Sequence, residues 1–204
     1  MTTITLPLDG KEPEHGPAWS GCVAPERWRC WTGQGAEVEV ANLLVALVMA
    51  LKPEVIVETG THLGVTVNAL AAGCRANGSG HVWSLEPDEG WIAAATHVLG
   101  SNGLVDYVTL VQGEDVVAMI EAHDLAGRIG LGYVDCGEPT RRRASVAQAV
   151  LDNVTAHGVV LVHDTSEAWD AWGDGLRGAL SEMHWRGIVH LPTPRGLTIL
   201  GRAW

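Results

Sequence analysis

The sequence predicts a doubly wound α/β fold, a mostly parallel sheet with helices on both faces, ending in an antiparallel C-terminal hairpin. Three observations carry this reading. From Ala36 onward, short continuous apolar runs alternate with helical periods; such runs are buried on both faces, as in parallel sheets. The last two runs, "GIVHLPT" and "LTILGRA", are separated only by a tight "PRG", and strands joined so closely pair antiparallel. A glycine loop, "ETGTHLG", follows the first run, at the strand end where an open parallel sheet holds its ligand.

The elements follow in order. Residues 1–35 are irregular, with four prolines, scattered glycines and Trp19, Trp28 and Trp31. They form an extension, either a lid or a contact between the two copies of a homodimer. Residues 36–204 form the domain. "EVEVANLLVALVMALK" is a helix that Pro53 stops. The strands are "EVIVE", "HVWSLE", "DYVTLV", "LGYVD" and "GVVLVHD", followed by the hairpin. Between them Trp91, Ala95 and Val98 recur at helical spacing, as do Val146, Val150 and Val154.

Bulk properties exclude several classes. A chain of 204 residues is long enough for one well-buried domain. Its net charge of -11 argues against a nucleic-acid groove or an anionic membrane surface as partner. The run Arg141–Arg142–Arg143 is expected to be a solvated helix face. The first residues lack the pattern of a signal peptide, and the longest apolar stretch, "VANLLVALVMAL", is too short to span a bilayer. Cys22, Cys30, Cys74 and Cys136 show no CxxC spacing, so neither zinc nor a disulfide framework is indicated. A cytoplasmic enzyme or binding protein is the expectation.

The glycine loop narrows the ligand. A dinucleotide requires G-x-G-x-x-G, whereas this loop reads E-x-G-x-x-x-G, so a nicotinamide oxidoreductase is disfavoured. Glu58, just before the glycines, suits a ligand with a cationic amino group. Glu86, at the end of the second strand, can accept hydrogen bonds from ribose hydroxyls. A nucleoside carrying an amino acid, S-adenosylmethionine, satisfies both. The competing reading is that Gly60 and Gly64 only make a tight strand-to-helix turn.

From about Glu37 to Arg202 the chain resembles the class I S-adenosylmethionine-dependent methyltransferases. It is most similar to the small-molecule O-methyltransferases of the catechol, macrocin and cephalosporin tailoring type. The motifs "VETGTHLGVTV", "SLEPDEGW", "LVQGED", "YVDCGEP", "VVLVHDT" and "LPTPRGLTIL" carry the likeness. The resemblance implies a Rossmann-like seven-stranded sheet of order 3-2-1-4-5-7-6 with strand seven antiparallel. It implies that Glu58, Gly60, Thr61, His62, Gly64 and Thr66 line the methionine end of the cofactor, His62 packing on it. Glu86 and Pro87 would meet the ribose, and Gly113, Glu114 and Asp115 would border the adenine. Asp135 would lie between cofactor amine and acceptor. The loop reads "DCGE" rather than the N/D-P-P-Y/F of enzymes that methylate nitrogen, which favours the hydroxyl of a small organic molecule, as in secondary metabolism.

In that branch a divalent cation, Mg or Mn, often sits between the strand-four aspartate and two residues ending strand five, here Asp135, His163 and Asp164. Imidazole is a poor Mg²⁺ ligand but suits Mn²⁺; the competing reading makes His163 a polar strand end and Asp164 a helix cap. The branch also places a base three residues after the aspartate. Here that residue is Glu138, which would remove the acceptor proton, bind a cationic acceptor or cap a helix. The alternative to an enzyme is a catalytically degenerate S-adenosylmethionine-binding partner protein.

Overall fold

The computed structural model describes residues 14–15, 24–31, 35–136, 140–166, 180 and 187–201. Seven strands make the main sheet: β1 (Val55–Thr59), β2 (His81–Glu86), β3 (Val108–Gln112), β4 (Ile129–Val134), β5 (Val154–His163), β6 (Gly187–Leu191) and β7 (Leu197–Gly201). Their order is 3-2-1-4-5-7-6, with β7 antiparallel to both neighbours and the other contacts parallel. The expected architecture is therefore present, down to the antiparallel hairpin.

The helices are α1 (Val38–Leu51), α2 (Val65–Asn77), α3 (Glu89–Ser101), α4 (Val116–Ala122) and α5 (Thr140–Asp152). On α1, Ala41, Leu44, Val45 and Val48 form a buried stripe at i, i+3, i+4 and i+7. The helix ends at Lys52, whose left-handed φ of 49° turns the chain into Pro53. Strand alternation divides the core in two. Ile56 packs with α1, α2 and Leu99 of α3, whereas Val55 and Val57 pack with α4 and α5.

One boundary and one burial differ from the sequence expectation. Val154 continues the periodicity of Val146 and Val150 but opens β5, because α5 stops at Asp152 and the Asn153 amide closes on the Val150 carbonyl. In α3, Ala95 and Val98 are buried while Trp91 is exposed; its ring sits 4.3 Å from that of His62. Within residues 1–35, Glu14–His15 pairs with Arg29–Cys30 as a short antiparallel ribbon, and Trp31 packs against the core. Trp19 lies outside the described residues. Among the described residues no helix is long and apolar enough to cross a membrane.

β1 is central, with β2 on one side and β4 on the other. Strand order reverses at this point, so the carboxyl ends of the parallel strands β1, β2 and β4 converge on one cleft.

Candidate active site

The cleft is built first by the loop after β1. Glu58 is wholly buried. Its Oε2 accepts a hydrogen bond from the Ser84 hydroxyl, which also meets Thr61 Oγ1 at 2.6 Å. Its Oε1 has no hydrogen-bond partner. Burial pushes this carboxyl up to about 8; the nearby Ser84 and Thr66 hydroxyls oppose that rise, and the charges of Asp135 and Glu86 reinforce it. A buried acid with one oxygen unspent can receive a cation.

Glu86 is aimed by the backbone. Its Oε2 accepts from the His62 amide at 2.9 Å and its Oε1 from the Asp88 amide at 3.1 Å. Each oxygen keeps a further lone pair for a hydroxyl. His62 thus contributes its amide to the site, with φ at 46° to point it there, and its ring contacts Trp91. Pro87 is exposed at the head of the β2–α3 turn. Gly113 donates its amide to the Glu86 carbonyl. Glu114 pairs with Arg142 at 2.7 Å on the surface. Asp115 caps α4, one oxygen accepting from the Val117 and Ala118 amides.

The glycines serve the protein's own packing. Gly60 has φ of 86°, and a Cβ there would collide with the backbone carbonyl of Asp135. Gly64 has φ of 84°, and a Cβ would lie 3.1 Å from Ala95 of α3. The competing turn reading of these residues is therefore met in the structure. They let the loop press against β4 and α3, while the pairing of β1 with β2 and the His62 amide set Glu58 and Glu86 side by side.

The second half of the site is a charge cluster at the ends of β4 and β5. Asp135, His163 and Asp164 do converge, each offering a ligand atom within 4.8 Å of the others. Protein groups already surround them. Arg195, in the β6–β7 turn, meets Asp164 side-on, with Nε 2.7 Å from Oδ1 and Nη2 donating to Oδ2 at 3.1 Å. Arg143 of α5 donates through Nη1 to Asp164 Oδ2 at 3.1 Å and lies 4.0 Å from Asp135 Oδ1. His163, with no exposure, places Nε2 2.8 Å from Glu37 Oε2. Its Nδ1 lies 3.2 Å from Asp135 Oδ2 and 3.3 Å from Asp164 Oδ1. The contacts of His163 Nδ1 and Arg195 Nε lack regular hydrogen-bond alignment, so they act as ion pairs.

The electrostatics follow. Burial alone would lower the His163 pKa, but the charges of Asp135 and Asp164, with the close contacts to Asp135 and Glu37, lift it to about 10. Burial would raise the Asp135 carboxyl, yet His163, Arg143 and Arg195 hold it at about 2. Burial likewise opposes the ionised Glu37, and His163 together with the Arg195 amide prevails. A histidine ligates a metal only through a nitrogen lone pair. Here both ring nitrogens face carboxylate oxygens, and two guanidiniums occupy Asp164. As arranged, this donor set does not fit a divalent cation.

Three members of the cluster were not among the expected site residues. Arg143 was read as part of a solvated basic run; its side chain is 11% exposed, because it shares a helix face with Val146, Ala147 and Val150. That spacing was a visible signal. Arg142 does lie on the surface. Glu37 precedes α1 without capping it and turns inward to His163 and the Arg195 amide. Arg195 is fixed by the hairpin turn, where its carbonyl accepts from the Ser166 amide and Nη1 donates to the Gly35 carbonyl. Glu138 lies outside the described residues.

Comparison with known proteins bears on this cleft. No curated protein sequence gives a significant match. Among solved structures, the fold is shared with the SAH-bound methyltransferase PaMTH1 of Podospora anserina at 21% identity and TM-score 0.68, covering 84% of this chain and 80% of that one. It is shared with the O-methyltransferase TomG of Streptomyces achromogenes, involved in tomaymycin synthesis and solved with SAM, at 17% identity and TM-score 0.70, covering 84% and 83%. An O-methyltransferase from Bacillus cereus in complex with SAH aligns at 17% identity and TM-score 0.69, covering 84% of each chain. A family model described as a methyltransferase domain matches residues 57–165, a stretch that runs from the glycine loop through Glu86 and Asp135 to the end of β5. With more than half of its length inside that match, the chain belongs to this family of methyltransferases.

Proposed function

We propose that the protein transfers the methyl group of S-adenosylmethionine to a hydroxyl of a small organic molecule, with secondary metabolites as the acceptor class. The observation that carries the cofactor is the unspent, buried Oε1 of Glu58 beside a Glu86 whose two oxygens are aimed by backbone amides. An ammonium fits the first and a pair of ribose hydroxyls the second. Gly113, Glu114 and Asp115 at the end of β3 border the adenine in this reading, and Thr61 and Thr66 back the methionine end. When bound, the cofactor supplies an electrophilic methyl for in-line displacement by the acceptor oxygen.

The protein's share is orientation and proton removal. Asp135, 19% exposed at the cleft, faces the acceptor as a permanent carboxylate. With its pKa at about 2 it is a weak base, and His163 is too buried to touch the acceptor. Glu138, three residues on, is the candidate for the proton. Residues 1–35 are assigned to covering the acceptor. The cofactor assignment is tested by isothermal titration with S-adenosylmethionine against NADH: micromolar binding of the first alone is expected, and no binding rejects it. Release of S-adenosylhomocysteine with a panel of hydroxylated acceptors then tests turnover. A cofactor-binding partner without turnover is the second reading, favoured by the engagement of the Asp135, His163 and Asp164 side chains with protein groups; binding without product across the panel would establish it.

A further inference from the structure

We infer that Arg143 and Arg195 take the place of a divalent cation at the ends of β4 and β5, so that the site is completed by protein cations and binds no metal. The inference deepens the proposed function, since the acceptor end of the cleft is the end these groups shape.

The argument is one of charge and occupancy. Three carboxylates, Glu37, Asp135 and Asp164, converge from three parts of the chain. Carboxylates buried this closely require compensation. Two guanidiniums, which do not deprotonate in proteins, supply it. Arg195 meets Asp164 through two nitrogens, Nη2 by a hydrogen bond and Nε by an ion-pair contact, and so covers both oxygens that a point cation would need. Arg143 bridges Asp164, the His163 carbonyl and the Cys136 carbonyl, and so ties the end of β4 to the end of β5. His163 fills the remaining gap, both nitrogens turned to carboxylate oxygens. A divalent ion entering here would sit against two fixed positive charges and would have to displace at least one of them.

Both arginines are also held by their own surroundings. Arg195 is 8% exposed; its amide donates to Glu37 Oε1 at 2.8 Å and Nη1 to the Gly35 carbonyl at 3.0 Å. Arg143 is 11% exposed and donates through Nε to Cys136 at 2.7 Å. Neither is a surface side chain that has swung in by chance. Asp164 itself adopts a φ of 60°, a conformation uncommon for a non-glycine residue, and one that presents its carboxylate to the two guanidiniums. The arginines are positioning residues: they hold the Asp135 and Asp164 carboxylates in place.

The test uses the whole chain, dialysed against EDTA and free of methyl donor, so its outcome does not depend on the cofactor assignment. Titration with MnCl₂ or MgCl₂ should show no stoichiometric binding and no rise in Tm beyond that given by NaCl of equal ionic strength. A stoichiometric site with a Tm rise of about 5 °C or more, lost in Asp135→Asn, would overturn the inference. The double variant Arg143→Met, Arg195→Met leaves the carboxylates without their guanidiniums and should acquire Mn²⁺-dependent stabilisation. If it folds and acquires none, the arginines are not what excludes the ion, and the inference fails. Should the double variant not fold, the wild-type titration decides alone.

Discussion

Glu58 shows what one buried carboxyl can report. The unfolded chain ionises it near its ordinary value of 4.5, whereas the fold holds the proton to about pH 8. Between those values the unfolded state has lost a proton that the folded state keeps, so stability falls as pH rises through the window. His163, lifted to about 10, adds its own decline above pH 6.5. The difference between wild type and Glu58→Gln isolates the Glu58 part: the variant should lose stability less steeply from pH 5 to 8, as read by denaturant melts. A cationic amine arriving at Oε1 reverses the balance and expels the proton. Titration of S-adenosylmethionine at pH 7 in buffers of different ionisation enthalpy should therefore show close to one proton released, and none in Glu58→Gln. Glu86→Ala should weaken cofactor binding by about 1.5–3 kcal/mol by calorimetry; unchanged affinity in a folded variant rejects the ribose role. Both acids were legible in the sequence because each ends an apolar strand, and strand-end placement is a local pattern. Glu37 and Arg195 were not, because what makes each functional lies 126 or 158 positions away.

Among the elements, the β1–α2 loop is the most constrained. Gly60→Ala combines a left-handed φ with collision against the Asp135 carbonyl. It should destabilise the protein by about 2 kcal/mol or more and weaken cofactor binding, because the collision falls between the two halves of the cleft. Thermal melts and calorimetry check the two effects. The same loop explains why its motif could be read for two purposes at once: the glycines satisfy packing, and strand pairing places the acids. Strands were legible throughout as apolar runs, whereas the end of α5 was not, since Val154 fits the helical period and only the Asn153 turn shows the break. Arg143 was misread because a basic triplet suggests solvent, although its spacing from Val146, Ala147 and Val150 places it on the inward face. The proposed covering role of residues 1–35 has a separate test. Deleting residues 1–23 should abolish turnover while leaving the cofactor Kd within about twofold, and persistent turnover would remove the covering role.

At the scale of the molecule, the sheet is organised so that all of the candidate chemistry lies at one edge of a central layer, where β1, β2, β4 and β5 end. The doubly wound order was legible from alternation and from one tight turn; the charge cluster was not, because it is assembled by topology rather than by any motif. It joins the residue before α1 to the β6–β7 turn, with β5 and α5 between them. These are among the longest sequence separations the chain brings into contact, and loops of that length close late. The sheet and its helices can assemble from nearer neighbours before Arg195 reaches Glu37 and Asp164. Assembly in that order would leave the cluster out of the transition state for folding and make it a latch on the rate of unfolding. Arg195→Met should leave the refolding rate nearly unchanged and accelerate unfolding, with about 3–5 kcal/mol of lost stability appearing on the unfolding limb of a stopped-flow chevron. The ion pairs that shape the cleft would thereby also set the lifetime of the native state.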